Sequence, residues 1–377
     1  MTAALGRVTI TGGHGFLGWH LSCHLRAVHG TTPVRLGRSD LSDGPGLTKT
    51  LRDTDTLFHL AGVNRGTDEE VEAGNIRAAR SIAAAVAESE SPATMVYANT
   101  IHAERDDPYG RGKRRAAEIL RSAVEDRGGR FVDVLLPNLF GEHGRPGYNS
   151  FVATFAAAIA KGETPTVSGD REIPLLHAQR AASAMVSAAT EGSSAVVRPA
   201  GVPTTISGVA ETFTEFTSLY RHGGQIPDLS DSHRLDLFNT FRSYLFPEQF
   251  PLFVEQHSDQ RGRLFEAVRS HGGTGQGFVS TTAPGARRGD HYHLRKVERF
   301  FVVRGEAEIA LRRLYDDKIV RFRVSGDRPA YVDMPTMWVH NITNVGADEL
   351  VTVFWADQLL DASQPDQYPE LVEISST

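Results

Sequence analysis

The chain has 377 residues, 40% hydrophobic and 23% charged, with a formal net charge of −6. That length exceeds one ordinary core and predicts two domains, while the composition excludes a disordered or low-complexity chain. Acids and bases are interleaved, so the charge pattern attracts neither nucleic acid nor an anionic membrane surface. The single cysteine, Cys23, can form no intramolecular disulfide, and no apolar run approaches the roughly 18 residues of a membrane span. No signal-like N-terminus is legible, so the expected location is the cytoplasm.

Residues 8–11, 56–61, 94–98 and 131–137 are short runs, apolar almost throughout, and read as buried parallel strands. Between them, residues 16–29 repeat Leu17, Leu21, Leu25 and Val28 at helical spacing, and residues 69–87 are alanine-rich and amphipathic. This alternation predicts an α/β fold, a Rossmann-type doubly wound parallel sheet.

Gly12, Gly15 and Gly18 follow the first strand at G-x-x-G-x-x-G spacing. Glycines there allow a tight turn and close backbone approach to a pyrophosphate. The helix starting at Phe16 and Leu17 adds N–H groups and a positive dipole end. About 20 residues on, where an acid would hold ribose hydroxyls, the chain reads Leu36-Gly37-Arg38-Ser39. Arg38 attracts a 2′-phosphate instead, which favours NADPH over NADH. Leu60 and Ala61 are assigned to the same cofactor site.

Tyr109-Gly-Arg-Gly-Lys113 is Y-x-x-x-K. On a helix, both side chains share one face, and the ammonium is expected to lower the phenol pKa towards useful acid–base chemistry. Thr100, at the end of the preceding strand, is the candidate to hold a substrate carbonyl. Asn138, in Pro137-Asn-Leu-Phe-Gly141, is a further polar candidate beside the nicotinamide.

Residues 228–247 read as packed helix leading to a boundary near 245, giving domains 1–245 and 246–377. Beyond it, residues 277–282, 299–303, 307–312, 319–324, 331–334 and 350–355 are short strands between turns, predicting a β-barrel or jelly roll. Within this region His291, His293, Glu298 and His340 are spaced as ligands. The first two lie two apart, and so on one face of a strand. Imidazoles with a carboxylate suit a divalent transition metal, without separating zinc from nickel, iron or manganese.

The first domain resembles the extended short-chain dehydrogenase/reductases, through Thr11-Gly-Gly-His-Gly-Phe-Leu-Gly18, His59-Leu-Ala-Gly-Val-Asn-Arg65 and Tyr109-x3-Lys113; the second resembles the cupins. Together they resemble the CapF-type bifunctional capsular polysaccharide enzymes, with further likeness at Tyr148-Asn-Ser150, His340-Asn-Ile342 and Gln364-Pro-Asp-Gln-Tyr368. The resemblance implies a UDP-linked 2-acetamido-2,6-dideoxy-4-hexulose as substrate, epimerised at C3 by the cupin and reduced at C4 with NADPH. Zinc in the cupin and a homodimer are also implied. The chain departs from the family patterns at Met337, where cupins place glycine, at Leu294 after His293, and at Ala98-Asn99, where a serine pair is usual. The residues alone leave other readings open: a ketoreductase of another UDP- or dTDP-deoxysugar with a structural or differently acting cupin, a dinucleotide-sensing regulator, or a metal-dependent dioxygenase.

Overall fold

The computed structural model describes residues 4–89 and 92–374, and its contacts divide into two compact units. The first comprises residues 1–140 and 172–204, the second residues 141–171 and 205–377. Residues 141–171 and 205–245 thus group with the C-terminal strands rather than with the parallel sheet.

The first unit holds strands β1 (Val8–Thr11), β2 (Val34–Leu36), β3 (Thr56–His59), β4 (Thr94–Thr100), β5 (Arg130–Leu136), β6 (Asn138–Phe140), β7 (Glu172–His177), β8 (Ala195–Val197) and β9 (Val202–Thr205). Among the described residues, six form a parallel sheet in the order β2-β1-β3-β4-β5-β8, and β6, β7 and β9 form a smaller one. Order running outward in both directions from β1 and β3 is the doubly wound pattern, and it leaves a crevice at the strand C-termini. Helices α1 (Phe16–His29), α2 (Gly44–Arg52), α3 (Asp68–Ser89), α4 (Pro108–Glu125) and α6 (Ala178–Thr190) cover the large sheet, with α5 (Phe151–Ala160) lying in the second unit. One core packs Ile10, Phe58, Val96 and Val132 under Leu21 and Leu25 of α1 and Met185 of α6; the other packs Leu57, Met95 and Phe131 under Leu51, Ile82 and Leu120 of α2, α3 and α4. Strands buried on both faces need apolar residues at every position, which is why they read as continuous runs.

The second unit also holds α5, and α7 (Ile206–Phe216) and α8 (Ser232–Ser243) share an aromatic cluster; Phe216 meets Phe238 at 5.2 Å and Phe241 at 5.8 Å between ring centres. Its strands are β10 (Leu252–Phe253), β11 (Gln256–Asp259), β12 (Gly262–Phe265), β13 (Gln276–Thr282), β14 (Arg287–Tyr292), β15 (Glu298–Arg304), β16 (Glu306–Arg313), β17 (Ile319–Ser325), β18 (Ala330–Met334), β19 (Trp338–Asn344), β20 (Leu350–Ala356) and β21 (Tyr368–Pro369). Ten of them form two antiparallel sheets among the described residues, β10-β18-β15-β20-β13 and β17-β16-β19-β14-β21. This is the all-β, jelly-roll architecture expected. Strands β14 and β19, which carry His291 and His340, stand outside the runs expected from apolar patterning. Arg287-Arg-Gly-Asp290 has no alternation to read, and pairing with β19 makes it a strand.

Candidate active site and metal centre

The glycine turn is built as its spacing predicts. Gly12 has φ of 69°, and a Cβ on it would stand 2.9 Å from the backbone nitrogen of Ala61. A Cβ on Gly18 would overlap the carbonyl oxygen of Gly12. Gly15 caps α1, whose first residues are Phe16 and Leu17. In front of this turn lies a cleft of about 1250 Å³ lined by Gly12, Gly15, Arg38, Leu60, Ala61 and Arg77, among others. Phe16, Leu17, Gly18 and Ser39 do not line the cleft. Strand β3 stops at His59, so Leu60 and Ala61 leave the sheet at its C-terminal end and reach the cleft. Lys49 and Arg52 add to its positive lining beside the acid Glu88. Arg35, missed from the sequence, donates from Nε to the Gly13 carbonyl at 2.9 Å and fixes the turn.

Thr100 ends β4, and α4 begins eight residues later with Asp107 capping the Gly110 N–H at 2.7 Å. Tyr109 lies in its first turn and Lys113 one turn on, as expected from the spacing. The Thr100 hydroxyl accepts the His102 N–H at 3.2 Å and lies near the Tyr109 phenol. Lys113 is buried; its Nζ donates to the Ala98 carbonyl at 2.7 Å and lies 4.2 Å above the Tyr97 ring. Burial pushes its amine down to about 7, against the opposing pull of Asp133. Burial also pushes the Tyr109 phenol up, with the nearby Thr100 hydroxyl working the other way. The expected lowering of the phenol pKa by the lysine is therefore not what this arrangement gives, because the amine is turned to Ala98. A phenol that keeps its proton through neutral pH is poised as an acid, the role that reduction of a ketone demands. Asn138 opens β6, pairs with Leu175, and does not line the cleft. Asp133 and Asn99, also missed, lie behind Lys113; the legible signal was one acid within an otherwise apolar strand.

The four candidate metal ligands converge, with ligand atoms all within 4.8 Å of one another. His291 of β14 is directly opposite His340 of β19, with ring centres 4.6 Å apart. A register shift between Gly289 and His291, at Asp290 with φ of 57°, turns the strand end, and His293 follows just beyond it. Glu298 opens β15 and sends Oε2 to 3.1 Å from Nε2 of both His293 and His340, and 3.9 Å from Nε2 of His291. His293 Nδ1 is 2.5 Å from the Asp366 carbonyl and His340 Nδ1 is 3.0 Å from that of Trp338. A carbonyl only accepts, so both Nδ1 atoms carry hydrogen and both rings aim Nε2 at the carboxylate. Burial pushes His340 down to about 4, so it stays neutral at neutral pH. The buried Nε2 of His291 has no hydrogen-bond partner among the described residues. Lone pairs crowded together in this way fit a cation at their centre.

Asp366 organises the adjoining loop: its carboxylate accepts the N–H groups of Leu294, Arg295 and Lys296 at 2.8–2.9 Å. Lys296 Nζ turns to the Pro365 carbonyl at 2.6 Å. A pocket of about 490 Å³ opens over the ligands, lined by Phe278, Arg288, His291, Glu298, Phe300 and Phe354, among others.

Residues 8–198 match the NAD dependent epimerase/dehydratase family, and residues 257–368 match the polysaccharide biosynthesis C-terminal domain. The UDP-2-acetamido-2,6-beta-L-arabino-hexul-4-ose reductase of Pseudomonas aeruginosa is 32% identical over 367 residues, covering 96% of this chain and 98% of that protein. The dTDP-6-deoxy-L-talose 4-dehydrogenase (NAD(P)(+)) of Kitasatospora kifunensis is 32% identical over 44% of this chain and 63% of its own. The crystal structure of the capsular polysaccharide assembling protein CapF from Staphylococcus aureus aligns with a TM-score of 0.57 at 29% identity, covering 97% of this chain and all of that one. The chain is an enzyme of the NAD dependent epimerase/dehydratase family, in the CapF-type form that joins a nicotinamide dinucleotide fold to a polysaccharide biosynthesis C-terminal domain.

Proposed function

We infer that this protein is a bifunctional nucleotide-sugar enzyme. Residues 246–377 invert C3 of a UDP-2-acetamido-2,6-dideoxy-4-hexulose, and residues 1–245 reduce its C4 ketone with NADPH. The observation that carries the reading is the Thr100–Tyr109 hydroxyl pair with buried Lys113 one helical turn away, at the C-terminal end of the sheet that carries the glycine turn. The name and near-complete coverage of the Pseudomonas relative support the substrate class. NADPH supplies hydride to the ketone carbon when bound. Thr100 holds the ketone oxygen and Tyr109 Oη gives it a proton. Lys113 holds the nicotinamide ribose, and Arg38 favours the 2′-phosphate. Asn138 contributes a polar contact to the substrate.

His291, His293, Glu298 and His340 would hold a divalent cation, which we assign as zinc; when bound it polarises oxygen and orders the pocket. A cytoplasmic homodimer completes the reading. The outer edge of β13, with Val279 74% exposed, offers a surface for a second copy.

Incubation with UDP- and dTDP-4-keto-6-deoxy sugars tests the reduction through NADPH oxidation and product NMR. Tyr109→Phe is expected to lower kcat by about 100-fold or more; a variant as fast as the parent sinks the assignment. In D₂O with zinc loaded, deuterium is expected at C3 of the product. A second reading, in which the cupin is structural, is favoured by the pocket lining, which contains neither lysine nor tyrosine. Absence of C3 label would select it and leave the reductase intact.

A further inference from the structure

One cross-strand row of the parallel sheet is polar from end to end. Thr11 of β1 stands opposite His59 of β3, His59 opposite Tyr97 of β4, and Tyr97 opposite Asp133 of β5. The row before it, Ile10, Phe58, Val96 and Val132, is apolar throughout. In-register residues of parallel strands share a face, and all four polar residues are buried. Apolar residues would fill these places without the desolvation cost. The first three members are joined to one another and to the helix above. The Thr11 hydroxyl accepts the N–H of Ala61, a lining residue of the cofactor cleft, at 3.4 Å and hydrogen-bonds His59 Nδ1 at 2.6 Å. The His59 ring stacks on the Tyr97 ring, 5.5 Å between centres and 18° from parallel. Lys113 of α4 places Nζ 4.2 Å from the centre of the Tyr97 ring and donates to the Ala98 carbonyl at 2.7 Å.

The geometry points to Tyr97, its ring held in place by His59, as a positioning residue for ketone reduction: it seats the Lys113 ammonium for the nicotinamide ribose. The inference rests on the reading of Lys113 as the residue that holds that ribose. A buried ammonium needs compensation, and an aromatic face attracts the charge without taking up a directed hydrogen bond. The Ala98 carbonyl takes one N–H of Lys113, the Tyr97 face balances the charge, and further N–H groups remain for ribose hydroxyls. A carboxylate in place of the ring would balance the charge too, but it would draw those N–H groups to itself. The face serves as a seat only while the ring stays put. Stacking against His59, itself tied to Thr11, fixes it. The contacts thus run from the strand that leads into the glycine turn to the amine, so the two anchor points of a dinucleotide share one buried row.

The test reads NADPH affinity by fluorescence titration of the full chain. Alongside it, acetic anhydride labelling of Lys113 without cofactor, followed by peptide mass spectrometry, reads how firmly the amine is seated. Tyr97→Leu removes the ring face and is expected to weaken NADPH binding about tenfold and to speed Lys113 labelling by about as much. Tyr97→Phe keeps the face and loses only the hydroxyl, so parental values are expected in both measurements. His59→Leu puts an apolar side chain into a buried place and leaves Tyr97 unstacked. It is expected to move both readouts the same way by about threefold, and it stands independently of how Tyr97→Leu folds. Parental binding and labelling in folded Tyr97→Leu, or in His59→Leu, overturns the assignment. So does a Tyr97→Phe protein as impaired as Tyr97→Leu, which would place the effect in the hydroxyl rather than the face. Lys113→Met is run in the same titration. If it binds NADPH as the parent does, the reading of Lys113 itself fails; if it binds weakly while Tyr97→Leu and His59→Leu match the parent, only this inference fails.

Discussion

Single residues decide how the two sites are held. Met337 stands where cupins place glycine, and the structure shows why glycine would suit: φ is 61°, and the residue's N–H reaches the His293 carbonyl at 2.7 Å. The chain keeps methionine there because the side chain is fully buried. Asp366 has a sharper role. Its carboxylate collects three N–H groups of the loop after His293, while its carbonyl orients the His293 ring. Asp366→Ala is expected to weaken metal retention by about 10- to 100-fold, since outer partners of ligands have effects of that size. Competition with a chromogenic chelator measures it, and retention equal to the parent would show that the loop holds itself. The candidate metal ligands were legible as spacing. Asp366 stood only in a stretch of family likeness, because nothing local says that a tail residue folds back over 70 positions to cap a loop.

At the scale of elements, α1 and α6 show what pattern reading misses. The spacing of Leu17, Leu21 and Leu25 finds α1, with bounds as expected. It says nothing of His20 and His24 on the same helix. Both are buried, and Gln179 of α6 bonds His20 Nδ1 at 3.1 Å and the His20 carbonyl at 3.0 Å. His177, the cap of α6, has its ring centre 5.9 Å from that of His20. Burial, with help from His29, pushes the His24 imidazole down to about 4. As pH falls below 6.5 the unfolded chain takes up a proton that the folded site refuses until about 4. Stability is therefore lost across that window, by about 2 kcal/mol between pH 6.5 and 5 from this one group. Urea midpoints at the two pH values test this, and His24→Gln is expected to flatten the difference. An unchanged slope would place the acid sensitivity elsewhere, with buried His59 the next group to examine.

For the whole molecule, the compact second unit extends across the boundary expected at residue 245. Within that unit Asn239 of α8 donates to the Arg295 carbonyl at 2.6 Å, Arg242 to that of Met334 at 3.1 Å, and Tyr220 to Asp333 at 2.8 Å. Arg299, next to Glu298, pairs with Asp333 at 2.7 Å and reaches the Gly224 carbonyl at 2.8 Å. A protein cut after residue 245 would leave Tyr220, Asn239 and Arg242 without these buried partners. It is expected to melt at lower temperature and to be cleaved faster by protease within residues 205–245 than the full chain; equal protection would show that the cut ends are self-sufficient. The sequence by itself determined the class of each half, the glycine turn, the Tyr109–Lys113 pair and the four candidate metal-ligand positions. Those features follow from periodicity and short spacing, which the backbone enforces over a few residues. Tertiary structure alone decided which way Lys113 turns, that Asp133 stands behind it, and which helices join the β-sheets, because these depend on burial and on partners far along the chain.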